Sequence, residues 1–236
     1  MCRIVAVIPA RGGSKTIIRK NIKPFLGNPL IYYSIKAALN TKLISEVYVS
    51  TEDKEIAMVA KSLGAEIIER PSRLASDLSS TFDVMRHAEE VLHSPDIIVV
   101  LQPTSPLRSA REIDEAIELL DHETDTVVGC CEFKKHVWDC KDGVGKPLFS
   151  ERISRQQMEG KYFDNGAIYV TRSNVYRDND YKLGMGISSK GKIRLYIMEG
   201  HHAFDIDTEN DWLITEHLLR LRIETSGDFQ LQDSEG

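Results

Sequence analysis

Through the first half of the chain, short unbroken apolar runs alternate with segments whose apolar residues recur every three or four positions. The runs are residues 4–8 (IVAVI), 47–50 (VYVS), 65–68 (AEII) and 97–101 (IIVVL). Runs of this length without polar alternation suit strands buried on both faces. Residues 30–39 form one helical pattern between them. Residues 54–63 put Ile56, Val59, Ala60 and Leu63 on one stripe, and residues 81–92 do the same with Phe82, Met85, Ala88 and Leu92. Ser109 followed by Glu112 has the form of a capping box and predicts a helix over 110–120 that carries Ile113, Ile117 and Leu120. Strand and helix in alternation predict an α/β fold, a mostly parallel sheet covered by helices on both faces.

The second half is less regular. Residues 125–130, 166–171 (GAIYVT) and 192–198 (KIRLYIM) read as strands, and a final helix is expected over 208–222. Residues 133–160 mix Lys, Gly, Arg and Gln without a clear period, as in a loop-rich insertion or small subdomain. This divides the chain into a domain over 1–224, with 133–160 inserted, and a polar, aperiodic tail over 225–236 expected to be disordered. No internal repeat is apparent.

Composition narrows the function. The 236 residues include 30 Lys+Arg against 36 Asp+Glu, a net charge of -6, which argues against nucleic acid as a general partner. No apolar run approaches the roughly 20 residues that span a bilayer, and the start lacks the apolar length of a secretion signal. The expectation is a cytoplasmic protein without a membrane partner. The 4 cysteines, Cys2, Cys130, Cys131 and Cys140, have no CxxC spacing, and the adjacent Cys130 and Cys131 end an apolar run as buried thiols would. His201 and His202 are neighbours, and on a strand they would point to opposite faces.

Candidate chemistry begins directly after the first strand, at Pro9-Ala10-Arg11-Gly12-Gly13-Ser14-Lys15, followed by Arg19-Lys20-Asn21. Two glycines allow close backbone approach, successive N–H groups can form an anion nest, and four cations fall within ten residues. The end of the first strand in an open α/β sheet is also where ligands bind. Neither GxxxxGK[ST] nor GxGxxG is present, which disfavours a P-loop kinase and a Rossmann dehydrogenase. Near the other end, Asp205 and Asp207 stand two apart on an extended stretch and can present both carboxylates to one hard cation, magnesium being the natural choice. Helix capping accounts for Thr208 and Asp211 without accounting for Asp205. Residues 101–108 (LQPTSPLR) hold Gln102 and two hydroxyls between prolines, and Asn165-Gly166 enters a strand through a turn-favouring pair.

In order, IPARGGSK, RKN, VSTED, ERPSRLASD, LQPTSPLR, RQQ, NGAIYVT and FDIDTENDW resemble the acylneuraminate cytidylyltransferases, also called CMP-sialic acid synthetases, over roughly residues 4–221. The resemblance implies a Rossmann-like nucleotidyltransferase fold with a small dimerisation insertion, a homodimer, and magnesium-dependent transfer of CMP from CTP to a nonulosonic acid. It assigns the loop of Arg11, Gly12, Gly13, Ser14, Lys20 and Asn21 to the triphosphate of CTP, and Arg70, Ser76 and Asp77 to the base or ribose. Gln102 is similar to the glutamine that contacts the sugar acid, and Arg155 to an arginine that reaches the partner's site. Asp205 and Asp207 match the metal carboxylates. Arg11, Lys20 and magnesium would neutralise charge during the transfer, and Asp207 is the candidate base.

Two departures from the family pattern stand out. Thr16 replaces a glycine and Ile18 a proline, so the loop is expected to be less free at Thr16 and less rigid at Ile18. Tyr162-Phe163-Asp164 replaces a pair that usually carries a positive charge, which points to a different sugar. The alternatives are a cytidylyltransferase for legionaminate, pseudaminate or an octulosonate, and a module that binds a nucleotide or sugar nucleotide without turnover.

Overall fold

The computed structural model describes residues 2–177, 187 and 191–226. Its first half holds β1 (Ile4–Pro9), β2 (Pro24–Phe25), β3 (Asn28–Pro29), α1 (Ile31–Leu39), β4 (Glu46–Thr51), α2 (Lys54–Ser62), β5 (Glu66–Glu69), α3 (Thr81–Val91), β6 (Ile97–Val100) and α4 (Ala110–Glu118). The second half holds β7 (Thr126–Phe133), β8 (Trp138–Lys141), β9 (Val144–Pro147), β10 (Lys161–Arg172), β11 (Ile193–Met198) and α5 (Glu209–Ser226).

Seven strands form one sheet in the order β11-β7-β10-β6-β1-β4-β5. β1 pairs in parallel with both β4 and β6, β4 with β5, and β11 with β7, whereas β10 runs antiparallel between β6 and β7. The apolar runs become strands because both faces are covered. Ile4, Ala6 and Ile8 pack with α1, α2 and α4, while Val5 and Val7 pack with α3. Each buried Val or Ile among them contributes about 1.5–3 kcal/mol of hydrophobic stabilisation. A third cluster joins Trp212 and Leu219 of α5 to Phe25, Tyr33, Ile17 and Ile206. The parallel strands β4 and β6 flank β1 on opposite sides, so the loop after β1 sits at the switch point of the sheet.

Helix starts follow local chemistry. Asp53 caps α2 by accepting from Glu55 N and Ile56 N at 3.0 Å, and Ser109 and Glu112 form the expected capping box of α4. At α5, Asp211 accepts from Thr208 N and Oγ1 at 2.8 Å, so the cap of that helix involves neither Asp205 nor the Asp207 side chain. Cys130 and Cys131 are buried free thiols, as expected.

Three sequence expectations change. The insertion contains a β8–β9 hairpin turning through Asp142 and Gly143, both with positive φ (53° and 79°), and β10 begins at Lys161 rather than Gly166. His201 and His202 lie in a 3-10 turn, Gly200–Ala203, rather than on a strand, and their rings approach to 4.1 Å. The last helix continues to Ser226, two residues into the stretch expected as tail, and residues 227–236 lie outside the described residues. No helix among the described residues is long and apolar enough to cross a membrane.

Candidate active site

The carboxyl ends of β1, β4, β5 and β6 open onto one edge of the sheet. Because β10 runs the other way, its Asn165-Gly166 bulge arrives at the same edge. Between them lies a cleft of about 540 Å³ lined by Arg11, Ser14, Lys20, Asn21, Arg70, Ser76, Asp77, Gln102, Asp205 and Asp207, among others. Residues separated by up to nearly the whole chain thus converge on one cavity. Gly12 and Gly13 shape the loop without lining the cleft, and Arg155 sits exposed on the insertion, outside its own chain's cleft.

The glycine loop is held from below by two carboxylates that follow β4. Glu52 Oε1 accepts from Gly12 N at 2.8 Å, and Ser14 N donates to the Gly12 carbonyl at 3.1 Å, so these two N–H groups do not form the expected anion nest. Gly12 is required by space: a Cβ there would stand 2.5 Å from Asp53 Oδ2. A Cβ on Gly13 would meet nothing within 4 Å. Thr16 keeps an ordinary negative φ, and the left-handed residue of the loop is Arg19, with φ 56°.

Each cation of this loop has a partner. Arg19 faces away from the cleft, with Nη1 2.5 Å from Asp53 Oδ2 and a further ion pair to Glu55. That guanidinium holds the Asp53 carboxyl below its usual range. Arg11 Nη1 lies 3.0 Å and Lys15 Nζ 2.5 Å from the two oxygens of Asp77, which holds the Asp77 carboxyl low, chiefly through Lys15. Asp77 therefore sits on the basic loop rather than apart from it. Lys20 Nζ donates to the Ile206 carbonyl at 2.6 Å and stands 3.3 Å from Asp207 Oδ1. Asn21, buried, donates through Nδ2 to the Arg11 carbonyl at 2.9 Å and ties the two ends of the loop together. Arg70 donates to the Ser50 carbonyl at 2.6 Å, and burial pushes its guanidinium down to about 10.

The opposite wall is built from the loop after β6. Ser105 Oγ lies 3.3 Å from both Asp205 Oδ1 and the Asn165 carbonyl, which share its one O–H, and Ile206 N donates to the Thr104 carbonyl at 2.9 Å. A Cβ on Gly166, which has φ 72°, would lie 2.7 Å from Gln102 Oε1 and 3.6 Å from Asp205 Oδ2. Gln102, Gly166 and Asp205 are thus immediate neighbours. Nearby, Tyr169 Oη donates to Asp164 Oδ2 at 3.0 Å.

The donor set fits a magnesium ion. Burial, and secondarily the charge of Asp207, raises the Asp205 carboxyl above its ordinary range, whereas Asp207 is exposed to the cleft. Among the described residues no group of three or more His, Cys, Asp or Glu is placed to enclose a metal. Two carboxylates lining this open cleft match an ion that takes one or two protein ligands and completes its shell with water and phosphate.

Sequence reasoning missed Glu52, Asp53 and Arg108. Asp53 carried the form of a helix cap, but its second contact, to Arg19, crosses 34 residues. Arg108 stood visibly in LQPTSPLR with no chemistry attached to it.

Comparisons with known proteins bear on the family and the fold. The sequence model of the family described as Cytidylyltransferase matches residues 5–221. N-acylneuraminate cytidylyltransferase A of Danio rerio is 32% identical over 221 residues, covering 90% of this chain and 50% of that protein. Pseudaminic acid cytidylyltransferase of Campylobacter jejuni subsp. jejuni is 30% identical over 234 residues, covering 94% and 98%. The chain therefore spans about half the length of the first relative and nearly all of the second. In fold, the chain is similar to CMP:2-keto-3-deoxy-manno-octonic acid synthetase complexed with CTP, with TM-score 0.72, 18% identity, and 93% and 99% of the two chains covered.

Proposed function

Because the chain belongs to the cytidylyltransferase family of nucleotidyltransferase enzymes, we propose that it transfers CMP from CTP to the anomeric hydroxyl of a sialic acid or related nonulosonic acid, releasing pyrophosphate. The observation that carries this reading is the single cleft in which the basic loop faces Gln102 and Asp205. An in-line displacement needs the attacking hydroxyl opposite the leaving pyrophosphate at the α-phosphorus, and two facing walls suit that arrangement. The curated relatives act on acids of this class by name, and that resemblance supports the acceptor.

The roles follow from the contacts. Arg11 and Lys15 exchange Asp77 for phosphate oxygens, and Lys20 adds its charge between the triphosphate and Asp207. Asn21 keeps the loop closed, while Arg70, backed by Ser50, faces the nucleoside with Ser76. Gln102 contacts the sugar acid. Asp207, the exposed carboxylate, takes the proton of the attacking hydroxyl. Magnesium held by Asp205 and Asp207 would supply positive charge toward the phosphates. Asp164, beside Tyr169, puts an acceptor of hydrogen bonds near the sugar wall and favours a sugar that presents N–H or O–H groups there.

We extend the reading to a homodimer acting in the cytoplasm, with Arg155 serving the partner's cleft. Its exposure on the insertion supports this assignment. The direct test measures pyrophosphate release from CTP and magnesium with N-acetylneuraminate, legionaminate, pseudaminate and an octulosonate in turn. At least one acid is expected to raise release well above the rate with CTP alone. No rise with any of them refutes the proposal.

A further inference from the structure

The sugar wall is shaped by a cation that the proposed chemistry leaves unused. Arg108 is fully buried and is the largest such side chain among the described residues. Its Nη1 donates to the Ser105 carbonyl, and its Nη2 donates to the Gln102 carbonyl and, at 2.7 Å, to Ser34 Oγ on α1. Among the described residues no carboxylate pairs with it directly; Asp205 and Glu112 act on it from farther away. Burying an arginine is costly unless the surroundings use its fork, and here the fork grips backbone.

The gripped carbonyls belong to two residues that build the wall. Gln102 projects its side chain against Gly166, and Ser105 holds Asp205 by its hydroxyl. Thr104, between them, takes the Ile206 N–H. The Gln102 side chain is thus set by the arc, whereas the segment carrying Asp205 is also anchored by Ile206 in the cluster with Phe25 and Trp212. None of these Arg108 bonds goes to the basic loop.

We propose that Arg108 is a positioning residue for the acceptor half of the reaction, fixing the 102–105 arc so that Gln102 faces the sugar acid. This rests on the assignment of Gln102 to that acid. Arg108→Lys keeps a cation but loses the planar fork. A misplacement on the scale of an ångström costs roughly tenfold to a hundredfold. The acceptor KM of Arg108→Lys should rise by about that much, while the CTP KM and the calorimetric Kd for CTP stay within about twofold. Arg108→Lys combined with Gln102→Ala should be little worse for the acceptor than Gln102→Ala alone, because both act through one side chain. Should Arg108→Lys not fold, Ser34→Ala loosens the same fork from α1, and its acceptor KM should rise with the CTP constants again unchanged. Parallel changes in acceptor and CTP constants, a fall in Tm alone, or independent multiplication of the two acceptor effects would each overturn the proposal. Unchanged acceptor kinetics in Gln102→Ala alone would instead remove the assignment beneath it.

Discussion

Replacing Glu112 by glutamine keeps the shape of the side chain while deleting a buried negative charge that joins three elements. Glu112 accepts from Ser109 N and Oγ at 2.7 Å, its Oε1 lies 2.7 Å from His202 Nε2, and its Oε2 lies 3.8 Å from Arg222 on α5. Burial alone would raise this carboxyl, but His202 and the Ser109 donors outweigh it and bring the group from 4.5 down to about 2. The folded value is the lower one, so the stabilisation is fully present above about pH 4.5 and is lost as pH falls through about 2. At about 1.4 kcal/mol per unit, the drop corresponds to roughly 3 kcal/mol at pH 7 and roughly 2 kcal/mol at pH 3.5. For a chain of this size the pH 7 figure means a Tm lower by about 6–12 °C. Urea unfolding of the wild type and of Glu112→Gln at both pH values measures the difference directly. A difference that is absent at pH 7, or that grows on acidification, would refute the reasoning.

Gly12→Ala should lower Tm by several degrees and raise the CTP KM, because Asp53, held by Arg19 and the α2 cap, cannot withdraw from the new Cβ. Gly13→Ala should fold normally; thermal melts and CTP kinetics compare the two. Asp205→Asn and Asp207→Asn should abolish pyrophosphate release while circular dichroism shows α5 intact, since Thr208 and Asp211 cap it. Asp205→Asn should also melt no lower than the wild type, because a carboxyl raised by burial opposes folding once pH has risen past its unfolded value. Arg155→Ala mixed with Asp207→Ala should recover activity in verified heterodimers if Arg155 serves the partner's cleft; no recovery would return it to its own chain.

The parallel half of the sheet was legible because its strands are buried on both faces and so read as plain apolar runs, and because α4 announces itself through Ser109 and Glu112. The start of β10 was hidden for the opposite reason. Lys161, Tyr162, Phe163 and Asp164 are exposed, pair only with the far end of β7, and precede a register shift at the Asn165-Gly166 bulge. The β8–β9 hairpin did leave a signal, Asp142-Gly143, but its strands bury nothing that would mark them as strands. At the site, charge type was readable and partnership was not. Four cations near the glycines looked alike, yet Arg19 turns to α2, while Lys20 reaches a carbonyl 186 residues away. Only the folded chain distinguishes them.

The pairing of the loop's cations has a consequence for which anions this protein notices. A phosphate that approaches Arg11 and Lys15 meets a carboxylate already in place, so binding is an exchange of one anion for another. A small anion that engages one cation at a time gains little from such an exchange. On the proposed function a triphosphate would span Arg11, Lys15 and Lys20 together, and once its first contact formed the later ones would be intramolecular. The loop would thus discriminate by the number of contacts an anion makes at once more than by its charge. On that reading it would stay closed on Asp77 among simple phosphates and sulfates and yield to a ligand long enough to reach Arg11, Lys15 and Lys20 at once.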